Sequence, residues 1–180
     1  VMIDVAPDDF LEPAIIGDLL NPGEVAVLVI PVDKAAPKGR LILPQVMTLR
    51  DVIDHDAYAI VVKERELRAA IENLQARPKI VVTDSQAVLK ASADTPRDVM
   101  FTSFSILFAR YKGDLEVMAR GAKALRQIKP GAKVLIAEAC THHQVPDDIG
   151  TVQIPRWLRQ YAGGDIEFDY VSGGDFAANL

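Results

Sequence analysis

One short run concentrates more chemistry than any other stretch of these 180 residues: Glu138-Ala139-Cys140-Thr141-His142-His143. A thiolate and two imidazoles within four positions suit zinc, iron or an iron–sulfur cluster. Alone they do not close such a site, because tetrahedral zinc takes four ligands and a [4Fe–4S] cluster typically four cysteines. Cys140 is the one cysteine of the chain, so further ligands must come from other sequence or from another chain. Two other readings stay open at this point. Cys140 could be a buried structural residue beside solvated histidines, or a nucleophile with a histidine as its base.

A second run, Pro31-Val32-Asp33-Lys34-Ala35-Ala36-Pro37-Lys38-Gly39-Arg40, gathers three cations in a loop. Lys34, Lys38 and Arg40 suit an anionic ligand, and Asp33 could give an oxygen to a metal. The plain alternative is a solvated turn shaped by its prolines and glycine. His55 lies between two aspartates and reads as a surface histidine at a helix end, while Glu64, Arg65, Glu66 and Arg68 read as a solvated helix face. Trp157, Leu158 and Tyr161 have the spacing of core residues, as do Phe101, Phe104, Phe108 and Tyr111. Three familiar signatures are missing: no G-x-x-x-x-G-K-S/T, no G-x-G-x-x-G after a strand, and no G-x-S-x-G elbow. Gly173-Gly174-Asp175-Phe176 is taken as a turn.

Both chemical runs follow a strand, and the strands set the fold. Glu24 to Val32 is a nearly continuous apolar stretch of the kind buried on both faces. Helical spacing follows from about Pro44 to Asp56, then a strand over Tyr58 to Val62, a helix over Glu64 to Gln75 and a strand over Lys79 to Val82. Gln86 to Ser92 reads as helix, Met100 to Thr102 as a short apolar strand, and Ser103 to Tyr111 and Asp114 to Gln127 as helices. The rhythm then restarts, with a buried-type strand over Lys133 to Glu138, a helix over Ile154 to Tyr161 and a last strand over Asp165 to Val171. Strand–helix alternation of this kind predicts an α/β fold: two small units with mostly parallel sheets flanked by helices. The first runs over 22–112 and the second over 113–180, with 1–21 as a linker.

Composition narrows the class. With 49% hydrophobic and 25% charged residues the chain is an ordinary globular sequence, neither disordered nor disulfide-stapled. A net charge of −5 gives no pull towards nucleic acid. The apolar run at Val25 to Val32 is far short of the ~20 residues that cross a bilayer, and no leader is visible. A single cysteine fits a reducing cytoplasm. The start at Val1 is expected to mark a piece of a longer polypeptide.

Several segments together resemble one family. They are Ile30 to Leu43 (I-P-V-D-K-A-A-P-K-G-R-L-I-L), Pro44-Gln45-Val46, Leu49-Arg50-Asp51, Val82-Thr83-Asp84-Ser85-Gln86, Ser103 to Asp114 (S-F-S-I-L-F-A-R-Y-K-G-D), Ile136 to His143 and Ile154-Pro155-Arg156-Trp157-Leu158. From Pro22 onward the chain looks like the [FeFe]-hydrogenase maturation GTPases, the HydF family, with Met47 where that pattern has glutamine. The resemblance implies a dimerisation domain followed by a cluster-binding domain, with GTP bound on an upstream domain outside these residues. It implies a homodimeric cytoplasmic scaffold that holds a [4Fe–4S] cluster, accepts a di-iron precursor from radical-SAM maturation enzymes and passes it to the apo-[FeFe]-hydrogenase. Cys140 and His142 match the first half of the family's ligand motif, C-x-H; the second half, H-C-x-x-C, does not occur by Leu180. Asp33 would then fill the cluster's replaceable position, and Lys34, Lys38 and Arg40 would attract the anionic precursor. The rival classes are an α/β enzyme using Cys140 as nucleophile and a bare dimerisation module.

Overall fold

The computed structural model describes residues 13–32, 41–138 and 148–173. It divides into two compact units, the first ending at Leu115 and the second beginning at Glu116.

The first unit holds a four-stranded sheet made of β1 (Val25–Val29), β2 (Tyr58–Val62), β3 (Ile80–Thr83) and β4 (Met100–Ser103), in the order β2-β1-β3-β4. Every pairing is parallel: Val27 is level with Ile60 on one side and Val81 on the other, and Val81 with Phe101. The central strands β1 and β3 are rich in valine and isoleucine and almost wholly buried, as a sheet covered on both faces demands. Four helices connect and cover them: α1 (Leu43–Asp54), α2 (Leu67–Glu72), α3 (Val88–Asp94) and α4 (Phe104–Lys112).

Alternation along the strands sorts the core into two layers. Ala26, Leu28, Ile80 and Val82 face Val52 of α1 and Phe104 and Leu107 of α4, together with Ile15, Ile16 and Leu20. Val27, Val29 and Val81 point the other way, onto Leu67 of α2 and Ala91 of α3. Phe108 and Tyr111 meet edge to face and both pack, partly buried, against the first layer, so the aromatic spacing of α4 does mark core. Residues 15–20, expected in the linker, are part of this layer.

Helix starts are set by local chemistry. Pro44 stands in the first turn of α1, where its missing N–H costs nothing. Ser103 caps α4, its hydroxyl accepting the Ile106 N–H at 3.2 Å.

The second unit is thinner. Here β5 (Lys133–Glu138) and β6 (Glu167–Ser172) form a two-stranded parallel sheet, with α5 (Leu115–Ala124) before it and α6 (Ile154–Ala162) between the strands. A π-helical turn, Ile149–Gln153, leads into α6. The sequence reads β5 as buried on both faces, but it alternates exposed and half-buried residues, because no further described strand or layer covers it. Pro155 and Ile166 are the buried apolar side chains among the described residues of this unit. Trp157 and Tyr161, expected in a core, stand 49% and 63% exposed.

Candidate functional site

Parallel sheets bind ligands outside the carboxyl ends of their strands, at the point where the strand order reverses. In the first unit the chain leaves β1 towards β2, then returns across β1 to β3, so the reversal lies between β1 and β3. The 31–40 run continues from the β1 end. Its Asp33, Lys34, Lys38 and Arg40 lie outside the described residues.

The frame around that edge is described. Gln45, buried in the first turn of α1, accepts the Ile42 N–H at 3.1 Å and donates its Nε2–H to Asp84 Oδ2 at 3.0 Å. Asp84 follows β3, and its other carboxylate oxygen accepts the Ser85 N–H at 2.9 Å. Ser85 and Ser105 hydroxyls meet at 3.1 Å. Thr83 and Ser103, at the ends of β3 and β4, are buried. This polar chain ties the starts of α1 and α4 to the carboxyl edge and holds it in shape.

A second polar knot lies in the same unit. Asp51 Oδ2 accepts the backbone N–H groups of Ile15, Ile16 and Gly17 at 3.0, 2.7 and 2.7 Å. His55 donates Nδ1–H to the Asp51 carbonyl at 2.8 Å, which fixes its tautomer, and its ring covers Gly17. A Cβ on Gly17 would fall 2.0 Å from that ring nitrogen, so only glycine fits. Arg110 pairs with both oxygens of Asp18 and holds its carboxyl below the usual aspartate range. His55 is therefore a clamp on the N-terminal segment. Sequence reasoning missed Asp51 because its partners lie 34 to 36 positions earlier in the chain.

Glu64 also departs from the solvated face expected of it. Its Oε2 is buried and has no hydrogen-bond partner among the described residues.

In the second unit, Cys140, His142 and His143 lie outside the described residues, which stop at Glu138 and resume at Asp148. Both bracketing carboxylates approach Gly150, whose Cβ position is 3.5 Å from Asp148 Oδ2 and 3.6 Å from Glu138. Asp148 is buried and accepts the Thr151 N–H and hydroxyl at 2.8 and 2.9 Å, so it fixes the point where the chain returns. Glu138, the last residue of β5, and Asp148 are the described residues on either side of 139–147.

Among the described residues no three His, Cys, Asp or Glu side chains gather to hold a metal. With one cysteine in 180 residues, the donor set does not fit a complete [4Fe–4S] site within this stretch. No described helix is long and apolar enough to cross a membrane.

A four-stranded parallel sheet and a two-stranded parallel sheet, each flanked by helices, define an α/β protein. Comparison with known proteins gives the family. Residues 15–113 match the hydrogen maturase F dimerization domain and residues 116–180 the hydrogen maturase F tetramerization domain. The chain belongs to the hydrogen maturase F (HydF) family, and its role lies in hydrogenase maturation. Self-association goes with both domains. No curated protein matches the chain. One similar solved structure comes from a study of fatty acyl-adenylate ligases from E. coli and L. pneumophila, at 11% identity and a TM-score of 0.40. It covers 91% of this chain, which spans 34% of that one, and is too distant to bear on fold or function.

Proposed function

We propose that this region is the self-assembling platform of an iron–sulfur scaffold in [FeFe]-hydrogenase maturation. The supporting observation is the pair of family matches, which together run from 15 to 180 with the Cys140-Thr141-His142 run inside the second. Cys140 supplies one thiolate to a [4Fe–4S] cluster, and His142 either binds iron or supports the site through a hydrogen bond. The remaining ligands come from outside these residues. Asp33 and the cations Lys34, Lys38 and Arg40 sit on the chain leaving β1, where an anionic di-iron precursor would meet positive charge. The scaffold receives that precursor from radical-SAM enzymes, delivers it to apo-hydrogenase and carries GTP on a separate domain, in the cytoplasm.

Anaerobic reconstitution of the full-length protein with iron and sulfide tests this reading. The wild type is expected to give the EPR signal and iron content of one cluster per chain, and Cys140→Ala to lose both. Full iron loading and an unchanged signal in Cys140→Ala would remove Cys140 from the site. Asp33→Ala should keep the iron but alter the EPR signal; an unaltered signal would release Asp33 from its assigned place.

A further inference from the structure

Trp157 and Tyr161 have the spacing of core residues and yet stand exposed, while α6 already packs through other side chains. Pro155 is buried, and Ile154, Leu158 and Ala162 are half-buried, along one side of the helix. Trp157 and Tyr161, one turn apart, lie beside that side. Rings of this size bury about 150–250 Å² each once covered, so leaving both in water forgoes a large gain.

The charge on α6 is unsettled in the same place. The helix has two arginines and no carboxylate. Arg159 is engaged within its own unit: its Nε stands 3.6 Å from Asp165, and its guanidinium lies 4.9 Å from the centre of the Phe168 ring. Arg156, next to Trp157, is exposed and has no ion pair among the described residues. Tryptophan, tyrosine and arginine are the types that most often carry the energy of a protein–protein contact. Here all three stand within two turns of one helix.

Their place in the unit indicates what comes. Gly150, in the turn before α6, has its Cβ position 3.6 Å from the carboxyl carbon of Glu138, the last residue of β5. Beyond the other end of α6, the Asp165 carbonyl accepts the Gly131 N–H at 2.7 Å, just ahead of β5. The helix therefore runs back along β5, and its first turn, with Arg156 and Trp157, lies at the carboxyl end of that strand. Cys140 follows Glu138 by two residues, and two residues of chain span at most about 7 Å. A protein that takes cargo from Cys140 approaches this end and meets the first turn of α6 on the way.

We infer that Arg156, Trp157 and Tyr161 are the docking face for the protein that takes the cargo, whose own surface supplies an apolar pocket for the indole and a carboxylate for Arg156. The inference rests on the scaffold reading and deepens it by giving the delivery step a surface.

Binding of apo-[FeFe]-hydrogenase to the cluster-loaded full-length protein, measured anaerobically by biolayer interferometry, tests it with Trp157→Ala and Arg156→Glu. Each variant is expected to raise the dissociation constant about tenfold or more, with the iron content, EPR signal and sedimenting mass of the wild type. Arg156→Glu removes no ion pair among the described residues, so it keeps the test decisive if Trp157→Ala melts early. Added salt should weaken the wild-type complex more than that of Arg156→Glu. Wild-type affinity in both variants would overturn the docking face and leave the scaffold reading standing. A lower sedimenting mass would overturn it too, by making the face a contact between copies, and so would a loss of iron, by making it a support of the cluster. A wild type that loads its cluster but does not bind apo-hydrogenase would overturn the delivery step and the docking face together.

Discussion

Asp51 ties the chain ahead of β1 to α1. One carboxylate oxygen answers three backbone N–H groups that would otherwise lie partly buried without partners. Asp51→Ala is expected to destabilise the unit by about 2–3 kcal/mol, since hydrogen bonds to a charged group are worth about 1.5–3 kcal/mol each and water replaces part of the loss. Urea unfolding followed by far-UV circular dichroism measures it. Gly17→Ala should be comparably harmful through its clash with the His55 ring, and adding His55→Ala should recover part of the loss. No recovery would mean that the clash is not the cause.

Lys90 at 2.8 Å and Arg68 at 2.7 Å hold the Asp94 carboxyl below its usual range, and Arg110 does the same for Asp18. For a depressed carboxyl the unfolded chain takes up its proton first. The stabilisation is therefore complete above the ordinary aspartate pKa of about 3.9 and is lost as pH falls through the lowered folded values. Melting temperature should fall more steeply below that range in the wild type than in a paired Asp94→Asn, Asp18→Asn variant. Equal slopes would show that these two ion pairs contribute nothing.

Elements were legible in the sequence where period and punctuation agreed. Tyr58 to Val62 and Lys133 to Glu138 are strands at the expected residues, and the apolar run before Pro31 is the buried central strand. The helix read over Glu64 to Gln75 shrinks to Leu67–Glu72. Glu66 N–H bonds back to Lys63 in a turn there, and the helix docks through buried Leu67 with Ile71 partly buried beside it. What the sequence could not convey is which apolar residues lack cover. Leu43, Val46 and Ile53 make an exposed stripe on α1, and α1 packs beside β2, where Tyr58 and Val61 are exposed on an edge strand. An uncovered apolar edge of this kind pairs with another chain unless charge blocks it. Val61→Lys is therefore expected to weaken dimerisation about tenfold or more while leaving the melting of the unit within about 0.5 kcal/mol. Sedimentation at wild-type mass would move the dimer surface to the β4 edge.

At the scale of the whole molecule, the chemistry and the architecture were readable to different depths. The α/β class follows from strand–helix alternation, and the family from long runs of matched residues. The residues proposed for the site were chosen by type, a thiolate and imidazoles after one strand and cations after another, because metal and anion chemistry need those types wherever they stand. Their supports were not legible. Gln45 meets Asp84, and Glu138 and Asp148 both come beside Gly150, through tertiary structure that leaves no local pattern. The second unit buries little in its described part, so its stability should depend on assembly: dilution below the assembly's dissociation constant is expected to lower its melting temperature. A melting temperature independent of concentration would show that the unit stands by itself.

We propose that Cys140 carries cargo on a platform whose assembly is independent of it. Activation of apo-hydrogenase by the full-length protein, wild type against Cys140→Ala at matched oligomeric mass, tests that directly. The variant is expected to assemble as the wild type does and to fail to activate the enzyme. A variant that activates it as well as the wild type would contradict the scaffold reading.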